Sequence, residues 1–155
     1  MGKKYIIALD QGTSSSRAVL FNKAGEIIAI EQQEFEQIFP KPGWVEHRPE
    51  EIIATQTKVL HDLINNNSVN PSEIDSIAIT NQRETAVLWN KTTGKPIYNA
   101  IVWQDKRTSN LCSQLKSEGH EEHFKKSSGL VIDSYFSGTK INWILNNVEG
   151  AKSLA

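Results

Sequence analysis

Long hydrophobic runs are missing from this chain of 155 residues. The longest, residues 5–9, falls far short of the ~20 residues a bilayer-spanning helix needs, so membrane insertion is not expected. Lys3 and Lys4 precede that run, but it ends at Asp10 before an h-region has formed. No small-residue cleavage site follows, which argues against a secretory signal. Cysteine is nearly absent: Cys112 stands alone, which excludes an intrachain disulfide, fits a reducing compartment and reads as a packing thiol. Net charge is also nearly absent, −1 at pH 7, and no block of like charges occurs. Nothing electrostatic therefore favours nucleic acid or an anionic membrane. The four histidines, His47, His61, His120 and His123, lack metal-ligand spacing and read as surface or loop residues. There is no Gly-Lys-Ser/Thr P-loop, no dinucleotide fingerprint, no internal repeat and no low-complexity segment beyond residues 65–67. What remains is a soluble globular chain, 38% hydrophobic and 23% charged, placed in the cytoplasm. Its length suits one ordinary domain burying roughly 70% of its unfolded surface.

The apolar pattern divides the chain into a mixed α/β arrangement. Residues 5–9, 17–21 and 27–38 read as three strands, joined by turns at residues 10–16 and 22–25, an antiparallel meander. Residues 39–48 hold Pro40, Pro42 and Gly43 and read as an irregular loop. Pro49 suits the first position of a helix, with Glu50 and Glu51 in its first turn. Ile52, Ile53, Val59, Leu60, Leu63 and Ile64 give that helix one apolar face, and the asparagine run from Asn65 ends it. Strands are expected over 74–80, 86–89 and 97–103. Helices follow over 106–126, broken near Gly119, and around Ile141, Ile144, Leu145 and Val148. Such an order describes a mixed sheet flanked by helices rather than a doubly wound parallel one. The stop at Ser153-Leu154-Ala155, just past the last expected helix and without a polar tail, predicts that further chain follows.

The stretch from Leu9 to Arg17 carries the clearest chemistry. A carboxylate ends a buried strand, a glycine follows, then four consecutive hydroxyls. Gly12 lets the backbone approach a phosphate closely, amide and hydroxyl hydrogens donate to its oxygens, and Arg17 adds a fixed charge. Asp10 can hold the hydrated magnesium that accompanies a nucleotide. An ordinary hairpin turn rich in small polar residues would have the same composition.

Asp-Gln-Gly-Thr-Ser-Ser-Ser-Arg between apolar strands resembles the first phosphate loop of actin-like sugar kinases, hexokinases and chaperone ATPases. The likeness continues through Phe35-Glu36-Gln37, residues 40–47 and Ile79-Thr80-Asn81-Gln82-Arg83-Glu84-Thr85. It extends through residues 94–105, ending in Trp103-Gln104-Asp105, and through Tyr135-Phe136-Ser137-Gly138-Thr139-Lys140. Together these segments resemble the glycerol kinases of the FGGY carbohydrate kinase family along nearly the whole chain. The resemblance implies an actin-like ATPase, ribonuclease H-like α/β domain, here an incomplete N-terminal one. It implies that Arg83 and Glu84 grip glycerol, donor beside acceptor, while Tyr135 bonds a substrate hydroxyl and Trp103 packs on the carbon backbone. Read without it, Arg83-Glu84 would be a solvated ion pair and Trp103 a core residue. It also implies that Thr13, Ser14, Ser15 and Arg17 contact the phosphates of ATP or ADP and that Asp10 lies near Mg2+. The parent protein would be a homo-dimer or homo-tetramer. The likeness departs at Ser134, where many relatives carry proline, which is expected to loosen the loop holding Tyr135.

The same resemblance implies what 155 residues leave out: the general-base aspartate, further triol contacts and the adenosine-binding domain. No catalytic residue is therefore assigned within the chain, and the isolated chain is expected to be inactive, with exposed apolar surface. Two alternatives stay open: a kinase for another polyol or sugar of the same family, and a non-catalytic ligand-binding fragment.

Overall fold

The structure, a computed structural model, describes residues 2–155. The chain packs as two compact units, the first up to Glu36 with Glu50–Gln82, the second Gln37–Pro49 with Arg83–Ala155.

In the first unit, strands β1 (Tyr5–Gln11), β2 (Ser15–Asn22) and β3 (Ile27–Glu34) form the expected antiparallel meander. The connection from β2 to β3 turns at Gly25, whose φ of 80° is costly for any residue with a Cβ. The first turn is tighter than the sequence suggests. Asp10 and Gln11 stay in the ladder, opposite Arg17 and Ser16, so only residues 12–14 leave it. Polar side chains imitate a loop in the sequence, but here they find partners across the strands. Helix α1 (Pro49–Asn66) follows, with Pro49 at its start and Glu50 and Glu51 in the first turn. Strand β5 (Ile74–Thr80) then adds parallel to β1, giving a mixed sheet of order β3-β2-β1-β5. Strand β4 belongs to the second unit.

The core of this unit is one sheet face beneath α1. Ile7, Leu9, Ala18 and Leu20 pack with Val59, Leu63 and Val69. The inward stripe of α1 is Thr55, Val59 and Leu63, one residue every helical turn. Ile53, expected on that face, is instead 68% exposed. Helix α1 does not reach over β5, where Ile77 and Ile79 are 48% and 75% exposed. The opposite sheet face also carries exposed Ile6, Ile28 and Ile30.

The second unit is mostly helical. Its strands are β4 (Glu46–His47) and β6 (Ala100–Ile101), paired antiparallel. The strand expected over 86–89 reduces to isolated bridges, Ala86 with Ile101 and Trp89 with Pro96. The bridges lie three residues apart on one side and five on the other, so the register slips by two and no continuous ladder forms. The expected strand over 97–103 shortens to β6. Helices α2 (Ser109–Ser117) and α3 (Glu121–Ser128) flank Gly119 as anticipated. Helices α4 (Ser137–Asn147) and α5 (Ala151–Leu154) close the chain. Ile101, Ile144 and Ala151 form their core, with Trp143, Tyr98 and Val148 packed against it.

A buried ionic cluster holds the loops of this unit. Arg107, with a fully buried side chain, pairs with Glu46 at 2.7 Å and Asp105 at 2.9 Å. Its guanidinium lies against the rings of both Trp44 and Trp143, 3.9 and 4.5 Å from their centroids. Glu46 also accepts from the Tyr98 hydroxyl and the Asn99 amide, and Asp105 accepts from the Val45 N–H. Burial works against the charge on Arg107, but its bonds to Asp105 and Glu46 outweigh this and raise its pKa. His47 corrects the expectation of a surface histidine: it is completely buried, with Nε2 2.7 Å from Gln37 Oε1. Cys112 is a buried free thiol, as read.

Candidate functional site

The first unit positions the residues of the Leu9–Arg17 stretch. Gly12 N–H donates to the carbonyl of Ser15 at 3.0 Å, closing the turn. A Cβ on Gly12 would stand 3.0 Å from that same oxygen, so the close turn requires glycine. Alternation along β2 sends Ser16 to one face and Ser15 and Arg17 to the other. Ser16 is fully buried, its hydroxyl 3.0 Å from Gln11 Oε1 and 2.8 Å from the Thr55 hydroxyl. It therefore braces the loop on α1 rather than facing a ligand.

Gln32 of β3 straps the other two. Its amide donates to Ser15 Oγ at 3.0 Å and accepts from Arg17 Nε at 3.1 Å. Because Ser15 accepts that bond, its hydroxyl hydrogen remains available to donate. Ser14 is exposed, while Thr13 is half-buried. Asp10 faces Arg17 across the ladder, carboxylate to guanidinium 4.0 Å, both side chains about two-fifths exposed (43% and 42%). Among the described residues no three His, Cys, Asp or Glu side chains gather as a metal site. A single carboxylate nevertheless suits magnesium, which keeps several waters and binds through one or two carboxylates plus phosphate oxygens.

The second unit brings together Arg83, Glu84, Trp103 and Tyr135. Glu84 has φ of 61°, the left-handed region, an uncommon conformation for a residue with a Cβ. Its Oε2 accepts from the backbone N–H and the hydroxyl of Ser137, at 3.0 and 2.9 Å. Ser137 opens α4, so the carboxylate sits where the helix dipole favours negative charge. Oε1 has no partner among the described residues. Arg83 is exposed, and its guanidinium likewise has no partner there. The Trp103 and Tyr135 rings meet edge to face, centroids 5.8 Å apart, and Phe136 packs on Tyr135 at 5.1 Å. Ser134 precedes Tyr135 in this loop. It is buried, and the Asp133 carboxylate accepts the Tyr135 N–H at 2.8 Å.

Arrangements of this kind can hold a small polyhydroxylated molecule: five guanidinium donors, a half-used carboxylate and two aromatic rings. Two residues that hold the wall escaped the sequence reading. Ser137 caps Glu84, and Lys140 is completely buried beneath it. Their signal was present, since Lys140 and Ile144 lie four apart on one helical stripe, but charge concealed it.

The model of the FGGY family of carbohydrate kinases, N-terminal domain, matches residues 5–154. A glycerol kinase of Desulforamulus reducens is 58% identical over 155 residues, covering all of this chain and 31% of that protein. One of Carboxydothermus hydrogenoformans is 59% identical over the same span, again 31% of its length. The crystal structure of Plasmodium falciparum glycerol kinase with ADP superposes with a TM-score of 0.87 at 32% identity, over 99% of this chain and 31% of that one. A gluconate kinase from Lactobacillus acidophilus, at 22% identity, shares the fold with a TM-score of 0.88. The chain thus spans about a third of the length of the relatives it matches (31%). Among the described residues no helix is long and apolar enough to cross a membrane. The mixed α/β fold is that of the actin-like sugar kinases, and the chain belongs to the FGGY family of carbohydrate kinases, matching the model of its N-terminal domain.

Proposed function

We propose that the chain serves the ATP-dependent phosphorylation of glycerol to sn-glycerol 3-phosphate, supplying the polyol wall and one phosphate loop of a longer cytoplasmic kinase. The observation that carries this reading is the set formed by Arg83, Glu84, Trp103 and Tyr135 within one unit. An open guanidinium and a carboxylate bound through one oxygen only suit adjacent hydroxyls that each donate and accept. The paired rings of Trp103 and Tyr135 suit the apolar edge of a three-carbon chain, and the Tyr135 hydroxyl adds one further polar contact. The high identity to glycerol kinases over all 155 residues supports the substrate.

Thr13, Ser14, Ser15 and Arg17 hold nucleotide phosphate in this reading, and Asp10 takes the hydrated Mg2+. Bound MgATP supplies the phosphoryl group and a divalent charge. The chain's own residues orient the acceptor, exclude water from it and neutralise phosphate oxygens. The general base, further triol contacts and the adenosine-binding domain belong to sequence beyond residue 155, and the whole protein assembles as a homo-dimer or homo-tetramer.

An ADP-release assay of the full-length protein with glycerol, tetritols and pentoses tests the substrate. Glycerol-dependent turnover well above that on every other acceptor is expected. Preference for a pentose or tetritol would keep the family and overturn the substrate. The phosphate loop has its own test in Gly12→Ala. The new methyl group must displace the Ser15 carbonyl and weaken a turn hydrogen bond worth ~0.5–1.5 kcal/mol. ATP KM should rise roughly two- to tenfold with glycerol KM nearly unchanged. An unchanged ATP KM would remove Gly12 from the nucleotide site.

A further inference from the structure

Lys140 is completely buried in the second unit, yet among the described residues no carboxylate lies within hydrogen-bonding reach of its ammonium. Buried lysines are rare without a paired charge, so something else must hold this one. Its Nζ donates to three backbone carbonyls: Glu84 at 3.1 Å, Phe136 at 3.3 Å, and Tyr135. An ammonium has three hydrogens, and all three are spent on the backbone of the two segments that carry the polyol wall.

Glu84 is consequently gripped at both ends. Ser137 holds its carboxylate and Lys140 its carbonyl, which maintains the left-handed backbone at that position. The same ammonium fixes the peptide that follows Tyr135. We propose that Lys140 is a positioning residue that sets Glu84 and Tyr135 at one mutual geometry and thereby determines affinity for the polyol. This rests on the polyol reading of Arg83, Glu84 and Tyr135 given above, and it assigns Lys140 no contact with substrate.

Protonation bears on the arrangement. Burial pushes the Lys140 ammonium down to about 8, against the Glu84, Asp105 and Asp133 carboxylates and the Cys112 thiol, which all favour the charged form. Loss of one proton leaves two donors for three carbonyls and turns a lone pair toward the third. Affinity for the polyol should therefore fall as pH rises through about 8.

The test compares full-length wild type with Lys140→Met, which keeps length and apolar bulk but has no donor. Glycerol KM should rise at least tenfold, with ATP KM within twofold, in enzyme whose circular dichroism matches wild type. Raising the pH from 7 to 9.5 should increase the wild-type glycerol KM and leave that of Lys140→Met level. A lysine that only supports the fold would lower yield and Tm while leaving glycerol KM and its pH profile alone. Should Lys140→Met fail to fold, Lys140→Gln, with two amide hydrogens in place of three, takes its place, and a glycerol KM equal to wild type in that variant overturns the proposal. Wild-type enzyme that ignores glycerol would instead overturn the substrate reading itself.

Discussion

On the proposed polyol reading, replacing Arg83 by alanine in the full-length protein should lower kcat/KM for glycerol by about 10²–10³ while leaving ATP KM and Tm almost unchanged. The separation follows from the way Arg83 is held. It is exposed and its guanidinium has no partner among the described residues, so its removal costs the fold little, within about 0.5 kcal/mol. Against a bound polyol, each charge-assisted hydrogen bond contributes ~1.5–3 kcal/mol. Two such bonds near the lower end of that range give roughly 3–4 kcal/mol, and every 1.36 kcal/mol is a factor of about ten in rate. Arg83→Lys should recover little, because a point charge on a flexible stem does not reproduce the planar fork. Steady-state kinetics of the three enzymes decide the matter. Activity within threefold of wild type in Arg83→Ala would take Arg83 out of the site.

Arg107→Ala should do the reverse, lowering Tm on the order of 10 °C. Arg107 lies buried between two buried carboxylates, Glu46 at 2.7 Å and Asp105 at 2.9 Å. Its loss strands both charges, a class of change that costs ~3–5 kcal/mol, and each kcal/mol moves Tm by roughly 2–4 °C at this chain length. Loss of the cation–π contacts with Trp44 and Trp143 adds to the cost. Arg17→Ala provides the contrast. Its partner Asp10 stands 4.0 Å away and both side chains are well exposed, so that pair contributes ~0–1 kcal/mol. Thermal unfolding of both variants should separate clearly. A Tm for Arg107→Ala within 3 °C of wild type would mean that Glu46 and Asp105 find other partners or take up protons.

These two arginines also mark how far the sequence could be read. The meander and α1 were legible because continuous apolar runs, Gly25 and Pro49 are local signals that need no tertiary information. Cys112 was legible too, as a small apolar residue in a helix. Asp10 and Gln11 looked like a turn because polarity imitates a loop, whereas pairing opposite Arg17 and Ser16 keeps them in the strand. Residues 86–89 looked like a strand because their apolar run is a local signal, whereas the two-residue slip against residues 96–101 that interrupts the ladder is not. The proposed polyol wall was visible only as a resemblance, since no rule of spacing singles out an Arg-Glu dipeptide. Arg107, His47 and Lys140 were illegible for one shared reason. A polar or charged side chain reads as surface until the acceptors that bury it are known, and these lie up to 61 residues away in sequence, as Arg107 does from Glu46.

The division into two units has a spectroscopic consequence. All four tryptophans, Trp44, Trp89, Trp103 and Trp143, fall in the unit formed by Gln37–Pro49 and Arg83–Ala155. Indole emission therefore originates in that unit, and the sheet beneath α1 carries no tryptophan of its own, only the weaker fluorophore Tyr5 on β1. A denaturation followed by fluorescence and by backbone ellipticity separates into two curves wherever the units unfold apart, and a single tryptophan introduced on β3 would give the other half its own indole signal.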